Sequence, residues 1–169
     1  MKVRLLLTLS IFLSMSLFSS AARLDVGDSA PAVTGTTDAG ESLVLNDVYA
    51  AQEYTLVYFY PKADTPGCTA QGCSLRDSYE TLLDKGVAVI GVSIDSVEDQ
   101  KAFKEKYRLP FPLIADLDRK TVKAFGVPAM MGFAKRQAFL IKGGQIIWAD
   151  YSASTSDQAA DVLKVIGNQ

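Results

Sequence analysis

The chain has 169 residues, with 17 basic and 19 acidic side chains, a formal net charge of −2, two cysteines and no histidine. This length favours one domain, and without a basic run we expect no nucleic-acid partner. The lack of histidine excludes Ser-His-Asp and Cys-His catalysis, and two cysteines are too few for a zinc site of about four Cys or His ligands. We therefore expect no metal and no other cofactor.

Residues 1–22 have the order of a secretory signal. Lys2 and Arg4 precede an apolar run over residues 5–18, and small residues end the segment at Ala22. The run is short for a membrane span of about 20 residues, so an uncleaved anchor is the alternative rather than the expectation. We predict cleavage after Ala22, a domain over residues 23–169 and no stable membrane association. The bacterial periplasm is the expected location, with secretion or an organelle lumen as alternatives.

Apolar patterning after the leader predicts strands that alternate first with helices and then with each other. Residues 23–53 suggest a hairpin or loose strands, followed by a buried strand (54–60), a helix (70–85), a strand (87–94), a helix (96–109), a strand (111–116), a helix (119–127), a hairpin (137–141 and 145–151) and a last helix (156–166). A βαβ half followed by a ββα half predicts an α/β protein of thioredoxin-like fold. Its central mixed β-sheet is expected to be flanked by helices.

Both cysteines lie in the segment FYPKADTPGCTAQGC, residues 59–73. Thr65 can serve as an N-cap and Pro66 suits the first helical position, which places Cys68 in the first turn of a helix. Unpaired backbone N–H groups and the positive end of the helix dipole favour a thiolate there. The sequence therefore predicts that Cys68 is reactive.

The spacing of the two cysteines conflicts with a permanent disulfide. Residues five apart in an α-helix have Cα atoms roughly 8.6 Å apart, whereas a disulfide joins Cα atoms about 4.4–6.8 Å apart. Cys68 and Cys73 can thus be helical or bonded, but hardly both, and the spacing favours a redox pair that bonds after the helix unwinds. A structural staple and two inert buried cysteines remain the alternatives.

The segment PKADTPGCTAQGCSLRD resembles the active-site segment of peroxiredoxins, in particular the bacterioferritin-comigratory or Q-type branch. The family pattern Pro-x-x-x-Thr-x-x-Cys is met by Pro61, Thr65 and Cys68, and the resolving cysteine of the branch is met by Cys73. The flanking segments LVYFYPK, GVAVIGVSIDS and RQAFLIKGGQI extend the similarity over nearly all of residues 24–167.

The resemblance implies a thiol-dependent peroxidase that reduces hydrogen peroxide and organic hydroperoxides. Cys68 would attack the peroxide and become a sulfenic acid, and Cys73 would then form a disulfide with it. Thr65 would bind the thiolate or the peroxide, and Pro61 would shield the pocket. Arg136 would stabilise the thiolate, together with the backbone N–H groups of Gly67 and Cys68.

The resemblance also implies a thioredoxin-like or other dithiol reductant and a monomer. Export leaves the identity of the reductant open, because thioredoxin itself would not be in that compartment. Two other functions are compatible with the residues alone. One is a thiol–disulfide oxidoreductase that oxidises other proteins, and the other is a non-catalytic, redox-sensing module of thioredoxin-like fold.

Overall fold

The computed structural model describes residues 23–168, so the leader expected over residues 1–22 lies outside the described part of the chain. In chain order the elements are β1 (Thr34–Thr36), β2 (Ser42–Val44), α1 (Leu45–Ala51), β3 (Tyr54–Phe59), α2 (Pro66–Asp77), α3 (Tyr79–Asp84), β4 (Val87–Ser93), α4 (Val97–Tyr107), β5 (Leu113–Ala115), α5 (Lys120–Ala124), β6 (Ala129–Met130), β7 (Phe133–Ala134), β8 (Gln137–Lys142), β9 (Gln145–Asp150) and α6 (Gln158–Gly167).

Five strands form the central sheet in the order β5-β4-β3-β8-β9. Strands β3, β4 and β5 run parallel, and helices α2, α3 and α4 supply the crossovers that parallel neighbours require. Strand β8 pairs antiparallel with β3, and β9 pairs antiparallel with β8. This mixed sheet flanked by helices confirms the thioredoxin-like α/β fold that the sequence predicted.

Strand β3 lies at the centre of the sheet and is buried on both faces. Leu56 and Tyr58 belong to one apolar cluster, whereas Val57 and Phe59 belong to the other. Successive side chains of a strand point to opposite faces, so the continuous apolar run YTLVYF can fill both clusters. Cys68 belongs to the first cluster, which also receives side chains from α4 and α6. The cysteine segment therefore lies on that side of the sheet.

The structure corrects two of the sequence expectations. The single helix expected over residues 70–85 is wrong: α2 and α3 are separated at Ser78, whose backbone (φ −105°, ψ 10°) leaves the helical region. Serine favours such helix ends because its hydroxyl competes for backbone hydrogen bonds. In residues 23–53 the hairpin of β1 and β2 is confirmed, but helix α1 was missed. Its buried Leu45 and Tyr49 are four residues apart, a single helical turn that is too short a pattern to predict a helix.

No helix within residues 23–168 combines the length and the apolar character needed to cross a membrane.

Candidate active site

Cys68 lies in the first turn of α2, where the sequence predicted it. Thr65 is the N-cap residue in an extended conformation, and Pro66 begins the helix. The Cys68 side chain is buried, with 2% of its surface exposed. The first backbone N–H groups of a helix have no acceptor within the helix, so the turn that contains Cys68 carries positive partial charge.

Sheet pairing brings Arg136 to Cys68. Gln137, the first residue of β8, pairs with Phe59, the last residue of β3. Residue 136 therefore lies beside the point where the chain leaves β3 for the cysteine segment. Its Nη2 donates a hydrogen bond to Cys68 Sγ at 3.3 Å. A guanidinium keeps its charge in proteins, so this contact favours a sulfur that carries negative charge.

Gly67 leaves room for this contact. A Cβ atom placed on Gly67 would lie 3.2 Å from Arg136 Nη2 and 3.4 Å from Thr155 Cγ2. A larger residue would therefore press on the guanidinium. Gly67 thus lies beside Arg136, and its lack of a side chain leaves space for the guanidinium.

Thr65 and Pro61 lie in the loop that leads to the helix. The Thr65 hydroxyl donates to the Lys62 carbonyl at 2.9 Å, and it does not accept a helix N–H. The Thr65 hydroxyl thus closes the turn before α2, and in the described residues it is not hydrogen-bonded to the sulfur. Pro61 is half-buried at the start of this loop, directly after the buried Tyr60.

The loop before Cys68 is fixed from β4 and α4. The Ala63 N–H donates to Asp95 Oδ2 at 2.8 Å. Asp64 has a left-handed backbone (φ 55°), and its carboxylate accepts from Lys106 Nζ at 2.7 Å and from Tyr107 Oη at 2.6 Å. These contacts hold a conformation that a non-glycine residue rarely adopts.

A buried chain of hydrogen bonds supports Asp95. The Ser93 hydroxyl donates to Asp95 Oδ2 at 2.6 Å, and Gln100 Nε2 donates to Ser93 Oγ at 2.7 Å. The Tyr60 hydroxyl donates to Gln100 Oε1. Burial raises the pKa of Tyr60 far above its usual value, which keeps this hydroxyl protonated as a donor. This set of hydrogen bonds cannot be found from the sequence, because its members are neighbours only in the fold.

Cys73 lies in the same helix as Cys68, partly exposed, and both cysteines are free. Helix α2 is continuous from Pro66 to Asp77, so the two Cα atoms have the helical separation of roughly 8.6 Å. That separation exceeds the range of a disulfide. The structure therefore has the reduced, helical arrangement of the pair, and a disulfide would require α2 to unwind.

Two glutamines complete the surroundings of Arg136, and neither was predicted from the sequence. Arg136 Nη1 donates to Gln71 Oε1, and Gln71 Nε2 donates to Gln158 Oε1 at 2.8 Å. Both glutamines are fully buried. The one sequence signal was the position of Gln71, one helical turn after Cys68.

The cysteine at a helix N-terminus, the guanidinium on its sulfur and the thioredoxin-like sheet together define a thiol-based redox enzyme. The model of the AhpC/TSA family matches residues 26–149. The chain belongs to this family of peroxiredoxins.

Individual relatives support the same family. The chain is 37% identical over 151 residues to peroxiredoxin Bcp of Bacillus subtilis, covering 85% of this chain and 95% of that protein. The crystal structure of peroxidoxin BcpB from Mycobacterium tuberculosis superposes with a TM-score of 0.81 at 25% identity, covering 86% and 98% of the two chains. A structure of the Xanthomonas campestris bacterioferritin comigratory protein, described for its alkyl peroxide reduction activity, gives a TM-score of 0.76 at 27% identity and covers 86% and 96%.

Other matched proteins carry the name peroxiredoxin Q. The chain is thus a peroxiredoxin of the Bcp or Q type, a thiol-dependent peroxidase and an oxidoreductase.

Proposed function

We propose that Cys68 is the group that attacks the peroxide and that Cys73 resolves the product. The observation that carries this assignment is the 3.3 Å contact between Arg136 Nη2 and Cys68 Sγ in the first turn of α2. Within residues 23–168, Cys68 combines a position in the first turn of a helix with a hydrogen bond from a guanidinium, and both stabilise negative charge on its sulfur. Cys73 lies further along α2, where the first-turn N–H groups do not reach.

In the first step the Cys68 thiolate forms an S–O bond with the terminal oxygen of the hydroperoxide while the O–O bond breaks. The alkoxide or hydroxide that leaves takes up a proton from solvent, and Cys68 becomes a sulfenic acid. In the second step the Cys73 thiolate attacks the Cys68 sulfur, the S–S bond forms, and the hydroxide that leaves becomes water. An external dithiol then reduces the disulfide by thiol–disulfide exchange.

The substrates are hydrogen peroxide and organic hydroperoxides. The alkyl peroxide reduction activity described for the Xanthomonas relative supports the organic class. Thr65 and Pro61 contribute by shaping the loop over which the peroxide reaches the sulfur, and Gly67 and Cys68 present backbone N–H groups to it.

The test is peroxide consumption with excess dithiol by wild type, Cys68→Ser and Cys73→Ser. Cys68→Ser should lose turnover, whereas Cys73→Ser should still form one sulfenic acid per chain but fail to recycle with a protein dithiol. Wild-type turnover in Cys68→Ser would refute the assignment. Reduction of insulin faster than reduction of peroxide would instead favour a thiol–disulfide oxidoreductase.

We also propose that the protein is exported to the bacterial periplasm and works there as a monomer with a thioredoxin-like dithiol reductant. The basic, apolar and small-residue order of residues 1–22 supports export. Fractionation of cells that express the full chain, followed by N-terminal sequencing, should find a periplasmic protein that begins at Arg23. An unprocessed chain in the cytoplasm would contradict export, and a dimer in sedimentation velocity would contradict the monomer.

A further inference from the structure

Two buried glutamines connect the C-terminal helix to the reactive cysteine. Gln158, the first residue of α6, accepts a hydrogen bond from Gln71 in α2 at 2.8 Å. Gln71 in turn accepts from Arg136, which donates to Cys68. Glutamine is mostly exposed in proteins, yet both of these side chains are fully buried. A buried polar pair of this kind needs a reason in the fold or in the chemistry.

The partners determine which way the Gln71 amide faces. Arginine only donates hydrogen bonds, so Gln71 must present its oxygen to Arg136. Its NH₂ group then needs an acceptor, and Gln158 Oε1 supplies one. The two ends of an amide have nearly the same shape, so packing alone selects neither orientation. Gln158 therefore supplies the acceptor that lets Gln71 keep its oxygen on the guanidinium while its NH₂ group is also hydrogen-bonded.

The orientation of Gln71 fixes the guanidinium in turn. The group is planar, so holding Nη1 on Gln71 determines where Nη2 lies. Nη2 lies against Gly67, where even a Cβ would be 3.2 Å from it, so the guanidinium occupies the room that the missing side chain leaves. The same orientation places Nη2 on Cys68 Sγ.

We propose that Gln158 is a positioning residue for the peroxidase reaction, acting through Gln71 to hold Arg136 against the Cys68 sulfur. The inference rests on the proposed function, because it requires that Cys68 is the group that attacks the peroxide. We call these three hydrogen-bonded side chains, Gln158, Gln71 and Arg136, the glutamine relay.

The relay exists only while α2 is helical. Gln71 lies between the two cysteines, in the stretch that must unwind before Cys68 and Cys73 can bond. The relay therefore supports the first step, attack on the peroxide, and resists the second step, disulfide formation. Loss of the relay should slow the first step and accelerate the second, a split that general damage to the fold does not produce.

The experiment follows each step in single-turnover mixing with stoichiometric hydrogen peroxide. Sulfenic acid at Cys68 is trapped and measured by mass spectrometry, and the disulfide is measured by loss of free thiols. Gln158→Met removes the acceptor at nearly constant size and should slow the first step by up to about tenfold, the effect of losing one buried amide–amide hydrogen bond. Gln158→Glu keeps an acceptor oxygen and should restore most of the rate.

Val162→Ala is the matched control. Val162 lies one turn further along α6, is fully buried and has no part in the relay. It should lower the melting temperature while the first-step rate stays at the wild-type value. Equal slowing in Val162→Ala and Gln158→Met would show a structural effect of α6 and overturn the proposal.

Gln71→Met interrupts the relay at its middle and keeps the test decisive if Gln158→Met fails to fold. It should slow the first step, and the Gln71→Met/Gln158→Met double variant should be no slower than Gln71→Met alone, because both changes remove one linked contact. A wild-type rate in Gln71→Met would overturn the relay and leave the peroxidase assignment intact. Failure of wild type itself to form sulfenic acid at Cys68 would instead refute the proposed function.

Discussion

At the scale of single residues, we expect the contact between Arg136 and Cys68 to set the rate of the first step. Replacing Arg136 with Met removes a charged donor at 3.3 Å from the sulfur. Loss of one preorganised donor of this kind costs about 10²-fold or more in rate. We expect such a fall in the second-order rate constant for hydrogen peroxide, measured by single-turnover mixing. Arg136→Lys should be intermediate, because one ammonium keeps the charge but cannot reproduce the planar two-sided contact with Cys68 and Gln71.

Lys135→Met is the control for the loss of charge. Lys135 is the exposed neighbour of Arg136, so the variant loses the same charge without touching the sulfur. Its rate should stay near wild type. A fall as large as in Arg136→Met would show that the long-range field of the protein, rather than the contact, matters.

The residues of the site differ in how far the sequence could identify them. Cys68 and Arg136 were identified because each belongs to a recognisable segment. Gln71 and Gln158 are 87 positions apart, and only the packing of α2 against α6 shows that they meet. Thr65 was identified by type, but the structure adds that its hydroxyl closes the turn with the Lys62 carbonyl. Sequence patterns report residue type and spacing, whereas hydrogen-bond partners depend on the fold.

At the scale of elements, the stability of α2 between the cysteines should set the rate of disulfide formation. Ala70 is exposed and lies in this stretch. Gly is about 1 kcal/mol less favourable than Ala inside a helix, so Ala70→Gly should accelerate disulfide formation about fivefold. The first step should not change, because the exposed Ala70 takes no part in the hydrogen bonds that join Arg136 to Cys68 and Gln71. Thiol loss after single-turnover oxidation measures the rate.

Gly72→Ala is the matched variant, because it should stabilise α2 where Ala70→Gly destabilises it. A Cβ at Gly72 would lie 3.4 Å from both Cδ atoms of Leu109, so the methyl group fits. The variant should slow disulfide formation by a similar factor.

Amide exchange across residues 69–76 should also accelerate when the wild-type protein is oxidised. Equal rates in the two variants, or unchanged exchange, would contradict an unwinding step.

A second element gives a prediction on pH. Asp116 precedes α5 and accepts from the backbone N–H groups of Thr121 at 2.9 Å and Val122 at 2.8 Å. Burial raises the pKa of Asp116, and these N–H groups offset only part of the effect. A folded-state pKa above the unfolded value favours folding below the unfolded value of about 3.9, and this contribution is lost as pH rises through the folded pKa.

Asp116→Asn cannot ionise and should therefore lack this loss. It is expected to be less stable than wild type at about pH 4, because an amide offers only one acceptor oxygen, and to recover part of the difference by about pH 6. Urea unfolding of both proteins across this range gives the difference in free energy of unfolding. A difference that stays constant with pH would show that Asp116 has the same pKa in the folded and unfolded states.

The helices and strands differ in how well the periodicity of the sequence predicts them. The run YTLVYF predicted β3 correctly. A strand buried on both faces has a continuous run of buried residues instead of an alternation of apolar and polar ones. Helix α1 has seven residues, too few for a periodic pattern to develop. The break between α2 and α3 left the apolar spacing intact on both sides of Ser78, so the two helices had the pattern of one.

At the scale of the whole molecule, the order of elements was enough to predict the sheet but not the surroundings of the site. Parallel β3 and β4 need a crossover, and the tight loop at Gly143 and Gly144 makes β8 and β9 antiparallel neighbours. The register of β8 on β3 could not be predicted from either segment alone. That register places Arg136 beside the cysteine loop, so the fold itself completes the site.

The whole molecule should be more stable with the two cysteines reduced than with them bonded. A disulfide between Cys68 and Cys73 closes a very short loop. By restricting the unfolded chain it should stabilise the folded state by about 2 kcal/mol. Unwinding α2 between the cysteines breaks its backbone hydrogen bonds there and the two buried contacts of Gln71, which cost about 1 kcal/mol for the amide pair and about 1.5–3 kcal/mol for the bond to the charged Arg136. The losses exceed the gain, so a reductant should raise the melting temperature of the oxidised protein. Cys73→Ser cannot form the internal disulfide, and its melting temperature should not respond to the reductant. If oxidised wild type melts above the reduced protein, the disulfide forms without unwinding of α2, and the two-conformation cycle is wrong.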